Sequence, residues 1–139
     1  MKTATGVCLI IISLFLTACN SNNNINKEPP IAIGGVIDLR NWNFEKNGSI
    51  DLSGEWGFFW DELINPDQIA NQKQAPYVSI PDIWTNYELD GVEITPEGYA
   101  TYYLKMYTPE LHQVYGLYIK GEGSAYHLWI DGHAIVSDG

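Results

Sequence analysis

Residues 49–60 read SIDLSGEWGFFW. Ile50, Leu52, Trp56, Phe58 and Trp60 all fall on even positions, with Gly54 interrupting the series. A period of two lines these side chains along one face of an extended chain, where a helix would need 3.6. The glycine marks a turn or a bulge at the point where aromatic residues take over. The stretch predicts a β-strand with one apolar face, and the segments around it follow the same pattern.

Upstream, AIGGVIDLRNW (32–42) predicts an early extended segment. Downstream, DELINPDQIANQ (61–72) has room for a helical turn or two, each piece limited by Pro66. YVSIP (77–81) is a short strand stopped by Pro81. GYATYYLKMYTP (98–109) predicts one strand from Ala100 to Tyr107. VYGLYIKG (114–121) and AYHLWIDG (125–132) predict two more. Asp131-Gly132 between apolar residues is a two-residue hairpin signal. Such a turn pairs Ile130 with His133 and Trp129 with Ala134. Six or seven short strands separated by turn residues predict an all-β fold, a β-sandwich.

Composition bounds what the chain can bind. The 139 residues carry 7 Lys+Arg against 17 Asp+Glu, a formal net charge of −10. Nucleic acid is excluded, because phosphate recognition needs clustered basic residues. The same acidity gives no electrostatic hold on anionic lipid. Aromatic residues make up 13% of the chain, a load that belongs to a folded domain rather than to a solvated tail. Both cysteines, Cys8 and Cys19, lie in the first twenty residues. The folded part therefore has neither a disulfide framework nor a thiolate metal site.

The first eighteen residues read as a signal peptide. Met1-Lys2 is followed by VCLIIISLFL (7–16), about 15 Å of helix. A spanning helix needs about 20 apolar residues, so the run has the length of a signal-peptide core. It ends in LTAC (16–19). Residues 20–30, NSNNNINKEPP, cannot bury apolar surface and read as a flexible tether. The chain thus divides into a signal peptide (1–18), Cys19 with a tether (19–30) and a β-sandwich domain (31–139).

Candidate catalytic groups are few. Asp61-Glu62 are expected to start the short helical piece, where acids suit a helix N-terminus, and Asp51 and Glu55 flank a turn; both pairs read as solvated surface acids. Strand alternation puts His127 and His133 on opposite faces of their hairpin, so they cannot share a metal; with His112 they read as surface or rim residues. Neither GGVID (34–38) nor KGEGSA (120–125) has the spacing of a phosphate cradle. No catalytic residue, metal or cofactor is assigned. The aromatics remain. Trp60, Trp84, Tyr87 and Tyr99 lie near strand ends or loops and are the candidate ligand contacts. Trp84 and Tyr99 come first, because they sit beside Pro81 and Gly98, outside the alternating pattern. Trp56 and Trp129 lie mid-strand and are assigned to the core.

Two resemblances sharpen this reading. LTAC, with Leu three residues before the Cys and Ala directly before it, resembles the bacterial lipobox. That resemblance implies cleavage before Cys19 and acylation of Cys19, anchoring the chain to a membrane of the cell envelope. Asn20, where retained inner-membrane lipoproteins carry Asp, leans toward the outer membrane. GVIDLRNWNFEKNGSIDLSGEWGFFW (35–60), YVSIPDIW (77–84), GYATYYLKMYTP and AYHLWIDGHAIVSDG (125–139) resemble, in order and spacing, the extracellular domain of bacterial seven-transmembrane receptors with diverse intracellular signalling modules and of related histidine kinases and cyclases. They are also similar to the N-terminal sugar-binding domain of glycoside hydrolase family 2. Both are galactose-binding-like jelly rolls.

The resemblance implies a membrane-anchored extracytoplasmic binding or sensor domain for a carbohydrate or small ligand, with an envelope or signalling protein as a possible partner. It also admits the non-catalytic sugar-binding domain of a family 2-like hydrolase, or a structural envelope lipoprotein domain. This chain has Tyr103 where the receptor family carries Arg. A jelly roll needs about eight strands, more than are predicted here. The strand around AYHLWID is also apolar on both faces, so the domain is expected to be incomplete at its C-terminus and to belong to a longer product.

Mass spectrometry of the membrane fraction should find a mature N-terminus at Cys19 bearing acyl chains, since several chains on one residue anchor firmly where one does not. Cys19→Ser should release the protein or leave it unprocessed. An unmodified N-terminus downstream of residue 19 would overturn the assignment.

Overall fold

The computed structural model describes residues 27–69, 75–109, 113–120 and 124–139. Cys19, the signal peptide, tether residues 20–26, His112, Gly121 and Gly123 lie outside the described residues. Strands make up 35% of the described residues and helices 11%, which places the chain in the all-β class.

Among the described residues, seven strands form three small sheets. The central sheet is antiparallel, in the order β3 (Tyr77–Ile80), β2 (Gly54–Trp60), β4 (Ala100–Tyr103). β2 is the seven-residue strand that the even-position aromatics predict, and it starts at Gly54. A second sheet pairs β1 (Val36–Asp38) in parallel with β5 (Lys105–Tyr107). The third is the hairpin of β6 (Tyr126–Ile130) and β7 (His133–Asp138). Two short helices complete the described elements, α1 (Phe44–Asn47) and α2 (Pro66–Ile69), with one 3-10 turn at Trp84–Asn86.

The strand predicted over 100–107 is divided. β4 belongs to the central sheet and β5 to the parallel pair, with Leu104 at the corner between them. Leu104 packs onto the core formed by Ala32, Ile37, Leu39 and Trp42. A partly buried apolar side chain at the corner ties the two sheets to one core, as sandwich strands that switch sheets do.

Residues 32–39 stitch the sheets together. The Ala32 amide donates to the Ser53 carbonyl at 2.7 Å, and the Glu55 amide donates to the Ala32 carbonyl at 2.8 Å. Ile33 and Val36 exchange hydrogen bonds across a tight turn at Gly34-Gly35, where φ is positive at both positions (57° and 73°). The Lys105 amide then donates to the Gly35 carbonyl, and the Leu39 amide to the Tyr107 carbonyl, both at 2.8 Å. The segment so touches β2 first and β5 next.

The buried indoles keep their hydrogen bonds, as the cost of an unpaired buried donor demands. Trp42 Nε1 donates to the Gly48 carbonyl and Trp56 Nε1 to the Leu52 carbonyl. Asn43 caps α1, its side chain accepting from the Lys46 amide at 2.8 Å. Beside β1 the Arg40 guanidinium binds the Asp38 carboxylate through two donors and holds that carboxyl at about 2, well below its ordinary value.

Three sequence expectations are corrected here. The stretch 114–120 is not a strand: it makes no ladder among the described residues, and Val114 is 96% exposed. Alternating apolar residues form a strand only where another backbone offers pairing. Tyr115 instead rests against Phe44, ring centroids 5.4 Å apart. Trp129 is not core but 43% exposed. Its hairpin pairs with no other strand among the described residues, and both of its strands are largely exposed. Asp61 and Glu62 do not start a helix; Asp61 sits in a turn with positive φ, and α2 begins at Pro66. The hairpin register is the expected one, Ile130 with His133 and Trp129 with Ala134, with a bulge after Leu128.

Gly54 is the tightest point of the fold. Its φ is +112°, and a Cβ there would stand 2.6 Å from the Ala32 amide nitrogen and closer still to its carbonyl oxygen. Gly54→Ala combines backbone strain with overpacking, each of order 1–3 kcal/mol. A chemical-denaturation series should show a loss of about 3 kcal/mol or more. A loss below about 0.5 kcal/mol, the range of a neutral surface change, would show that the crossing relaxes.

Candidate functional site

Three of the four aromatic ligand candidates come together on one face of the central sheet. Phe58, at 0% exposure, is the hub. Trp60 stacks beside it at 6.2 Å, Tyr87 meets it edge-on at 5.2 Å and Tyr102 at 5.0 Å. Trp84, in the 3-10 turn, meets Trp60 edge-on at 5.5 Å. Asp82 holds that turn, its carboxylate accepting from the Ile83 amide and the Asn86 side chain, each at 2.7 Å. Burial pushes the Tyr87 phenol above its ordinary value, and a hydrogen bond with Tyr102 opposes the shift. The Gly98 backbone lies against the Trp60 ring, where a Cβ would stand 2.7 Å from Cζ2. These rings face one another and the backbone, and together they form a packed aromatic cluster.

Tyr99, the fourth candidate, stands apart and is 48% exposed. A hydrogen bond with the Asp61 side chain raises its phenol, and its carbonyl accepts from the Asp61 amide at 2.9 Å. This pair fixes the end of β2. The Thr101 hydroxyl then holds the next residues, donating to the Glu62 carbonyl at 2.7 Å and accepting from the Ile64 amide at 3.0 Å. The loop so held delivers Asn65 and α2. Gln68 accepts from the Asn65 amide at 3.2 Å, one half of a capping box.

That loop forms one wall of an open cleft of about 320 Å3, lined by Asn65, Pro66, Asp67, Trp129 and Gly132. The opposite wall is the end of the β6–β7 hairpin, whose Asp131-Gly132 turn has positive φ at both residues. An exposed indole here meets an amide and a carboxylate. The Asn65 and Asp67 side chains make no hydrogen bond within the protein among the described residues. The cleft therefore offers one apolar ring face, two donors and an acceptor on Asn65, and acceptors on Asp67. Sequence reasoning missed it by assigning Trp129 to the core. The signal was available, since a Trp two residues before a hairpin turn lies at the end of its sheet.

The acids flagged in the sequence are dispersed. Asp51, Glu55, Asp61 and Glu62 are all exposed. Glu55 accepts from the Gly34 amide at 2.8 Å. Among the described residues no three His, Cys, Asp or Glu side chains gather as metal ligands.

No protein-family model, curated protein or solved structure matches the chain. The cluster's role is open to a direct test. Gly98→Ala should push the Trp60 ring out of place, lower stability by about 1–3 kcal/mol and shift the tryptophan emission to the red. Unchanged stability and emission would mean that the Trp60 face is open and available to a ligand.

Proposed function

We propose that this chain is a lipid-anchored, extracytoplasmic binding module for carbohydrate, with the cleft between Trp129 and Asn65–Asp67 as its site. The observation that carries the reading is the meeting of an exposed indole with an unengaged amide and carboxylate. A pyranose has one apolar face of C–H groups and a rim of hydroxyls. The Trp129 ring suits the face, and Asn65 and Asp67 suit the hydroxyls; sites of this kind are concave, mostly apolar and carry a few polar groups. Cleavage and acylation at Cys19 would place the module on the envelope, facing outward from the cytoplasm, with the outer membrane favoured by Asn20. An antiparallel central sheet and a strand that turns a corner at Leu104 are in keeping with a galactose-binding-like jelly roll. A module of this kind acts by capture, with catalysis or signalling belonging to a partner.

A neutral-glycan screen read by saturation-transfer NMR should find a hexose-containing ligand. Trp129→Ala should weaken its binding roughly tenfold, as expected for one aromatic contact, and Asn65→Ala should also weaken it. Trp84→Ala should lower the melting temperature and leave affinity unchanged. If Trp84→Ala abolishes binding in a folded protein while Trp129→Ala does not, the site is the aromatic cluster instead.

A further inference from the structure

The opposite face of the central sheet holds a second depression, of about 250 Å3, which shares no lining residue with the Trp129 cleft. Its centre is Gly57, midway along β2. The sheet register sets Tyr77 of β3 and Tyr103 of β4 on either side of Gly57. Phe59 lies two residues further along β2 on the same face, and Ile69 of α2 and Ala75 close that end. Lys105 follows Tyr103 around the corner at Leu104. At the other end the Tyr77 ring lies over Gly34-Gly35, where a Cβ on Gly35 would come within 3.0 Å of the ring. A Cβ at position 57 would already touch Ala75 at 3.4 Å and Tyr103 at 3.5 Å, so a longer side chain there would fill the floor of the depression.

The backbone around this depression is already paired. The Gly34 amide donates to the Glu55 carboxylate, the Gly35 amide to the Glu55 carbonyl and the Lys105 amide to the Gly35 carbonyl. Selectivity must then come from side chains, namely the Tyr77 and Tyr103 hydroxyls and the Lys105 ammonium. Lys105 lies 5.0 Å from the centroid of the Tyr107 ring. A hydrogen bond with the Tyr107 side chain, and more weakly the Tyr103 phenol, favour the charged form, and the ammonium keeps further donors for a ligand. Among the described residues the one ion pair is Arg40 with Asp38, and no carboxylate of those residues pairs with Lys105. In a chain with 17 acidic and 7 basic residues, a cation without an ion-pair partner among the described residues, on the rim of an aromatic-walled depression, is complementary to an anion.

We propose that this depression binds an acidic sugar, a pyranose ring bearing a carboxylate. The ring lies between Tyr77 and Tyr103, and the carboxylate meets Lys105. A neutral sugar would leave the ammonium unused, and a cation would be repelled by it. The chain's own negative field acts against any anion at long range. The Debye length at 0.15 M salt is about 8 Å, so that repulsion is screened while a contact of hydrogen-bond length survives.

The test is isothermal titration of the full-length protein, in detergent at 0.15 M salt, with glucuronate and with glucose. Glucuronate should bind at least about tenfold more tightly than glucose, the difference a charge-assisted hydrogen bond supplies. Lys105→Gln should bring glucuronate down to the level of glucose, Lys105→Arg should retain most of the preference, and Trp129→Ala should leave it intact. Equal binding of the two sugars, no binding of glucuronate, or an unchanged preference in a folded Lys105→Gln protein would each overturn the proposal. Loss of glucuronate binding in Trp129→Ala would also overturn it, by placing the acid in the other cleft.

Discussion

The crossing of Ala32 over Gly54 is the contact on which the arrangement depends. Two backbones approach there with no side chain between them, and hydrogen bonds on both sides of Ala32 fix the approach. A crossing this close admits only glycine at position 54. It decides where β2 starts and also brings residues 32–35 beside the strand. From there the Gly34-Gly35 turn redirects the chain to β5, and Ile37 and Leu39 drop into the core. Next to the crossing, the Gly34 and Gly35 amides both bind Glu55 of β2, so the crossing and this pair of bonds together tie the parallel β1–β5 pair to the antiparallel sheet, with the corner at Leu104 as the covalent link.

The local rules read well wherever one side chain or one turn settles the outcome. Period two over 49–60 gave β2, Pro81 ended β3, and Asp131-Gly132 gave the hairpin with its register. The misreadings share a cause. A strand needs a neighbour, and pairing is a property of the whole fold that no window of sequence contains. So 114–120, alternating and aromatic, stays unpaired, and 100–107 is one strand in pattern but two in pairing. The Gly34-Gly35 pair was weighed as a phosphate loop and set aside; flanked by Ile33 and Val36, it carried the signature of a tight turn.

The ligand candidates show the same limit from another side. Trp60 closes the alternating pattern of its strand, and Trp84 and Tyr87 follow Pro81, which locates the three at a strand end and a loop. Position along a strand does not say whether a ring meets solvent or another ring. Here Phe58 gathers them, and the aromatics that line the two clefts are others, Trp129 in one and Phe59, Tyr77 and Tyr103 in the other. Tyr103 forms a wall of the depression that Lys105, two residues on, also lines.

Burial is uneven along the chain, and this bears on how the two clefts differ. The fully buried apolar side chains among the described residues run from Ala32 to Val78. The hairpin contributes none, and both of its strands are largely exposed. Segments with few buried contacts open at low free-energy cost. The depression at Gly57 is built on the sheet that holds Phe58 and Phe59, so its walls are set before any ligand arrives. The Trp129 cleft joins a wall held by Thr101 to a hairpin held mainly by its own ladder. Ordering that hairpin would subtract from the affinity of any ligand held there, so of the two clefts this one would gain more from contacts that pin the hairpin against Asn65 and Asp67. Short α2 serves both, with Pro66 and Asp67 on one cleft and Ile69 on the other. The hydrogen bonds that place α2, from Thr101 and Gln68, therefore set a wall of each site.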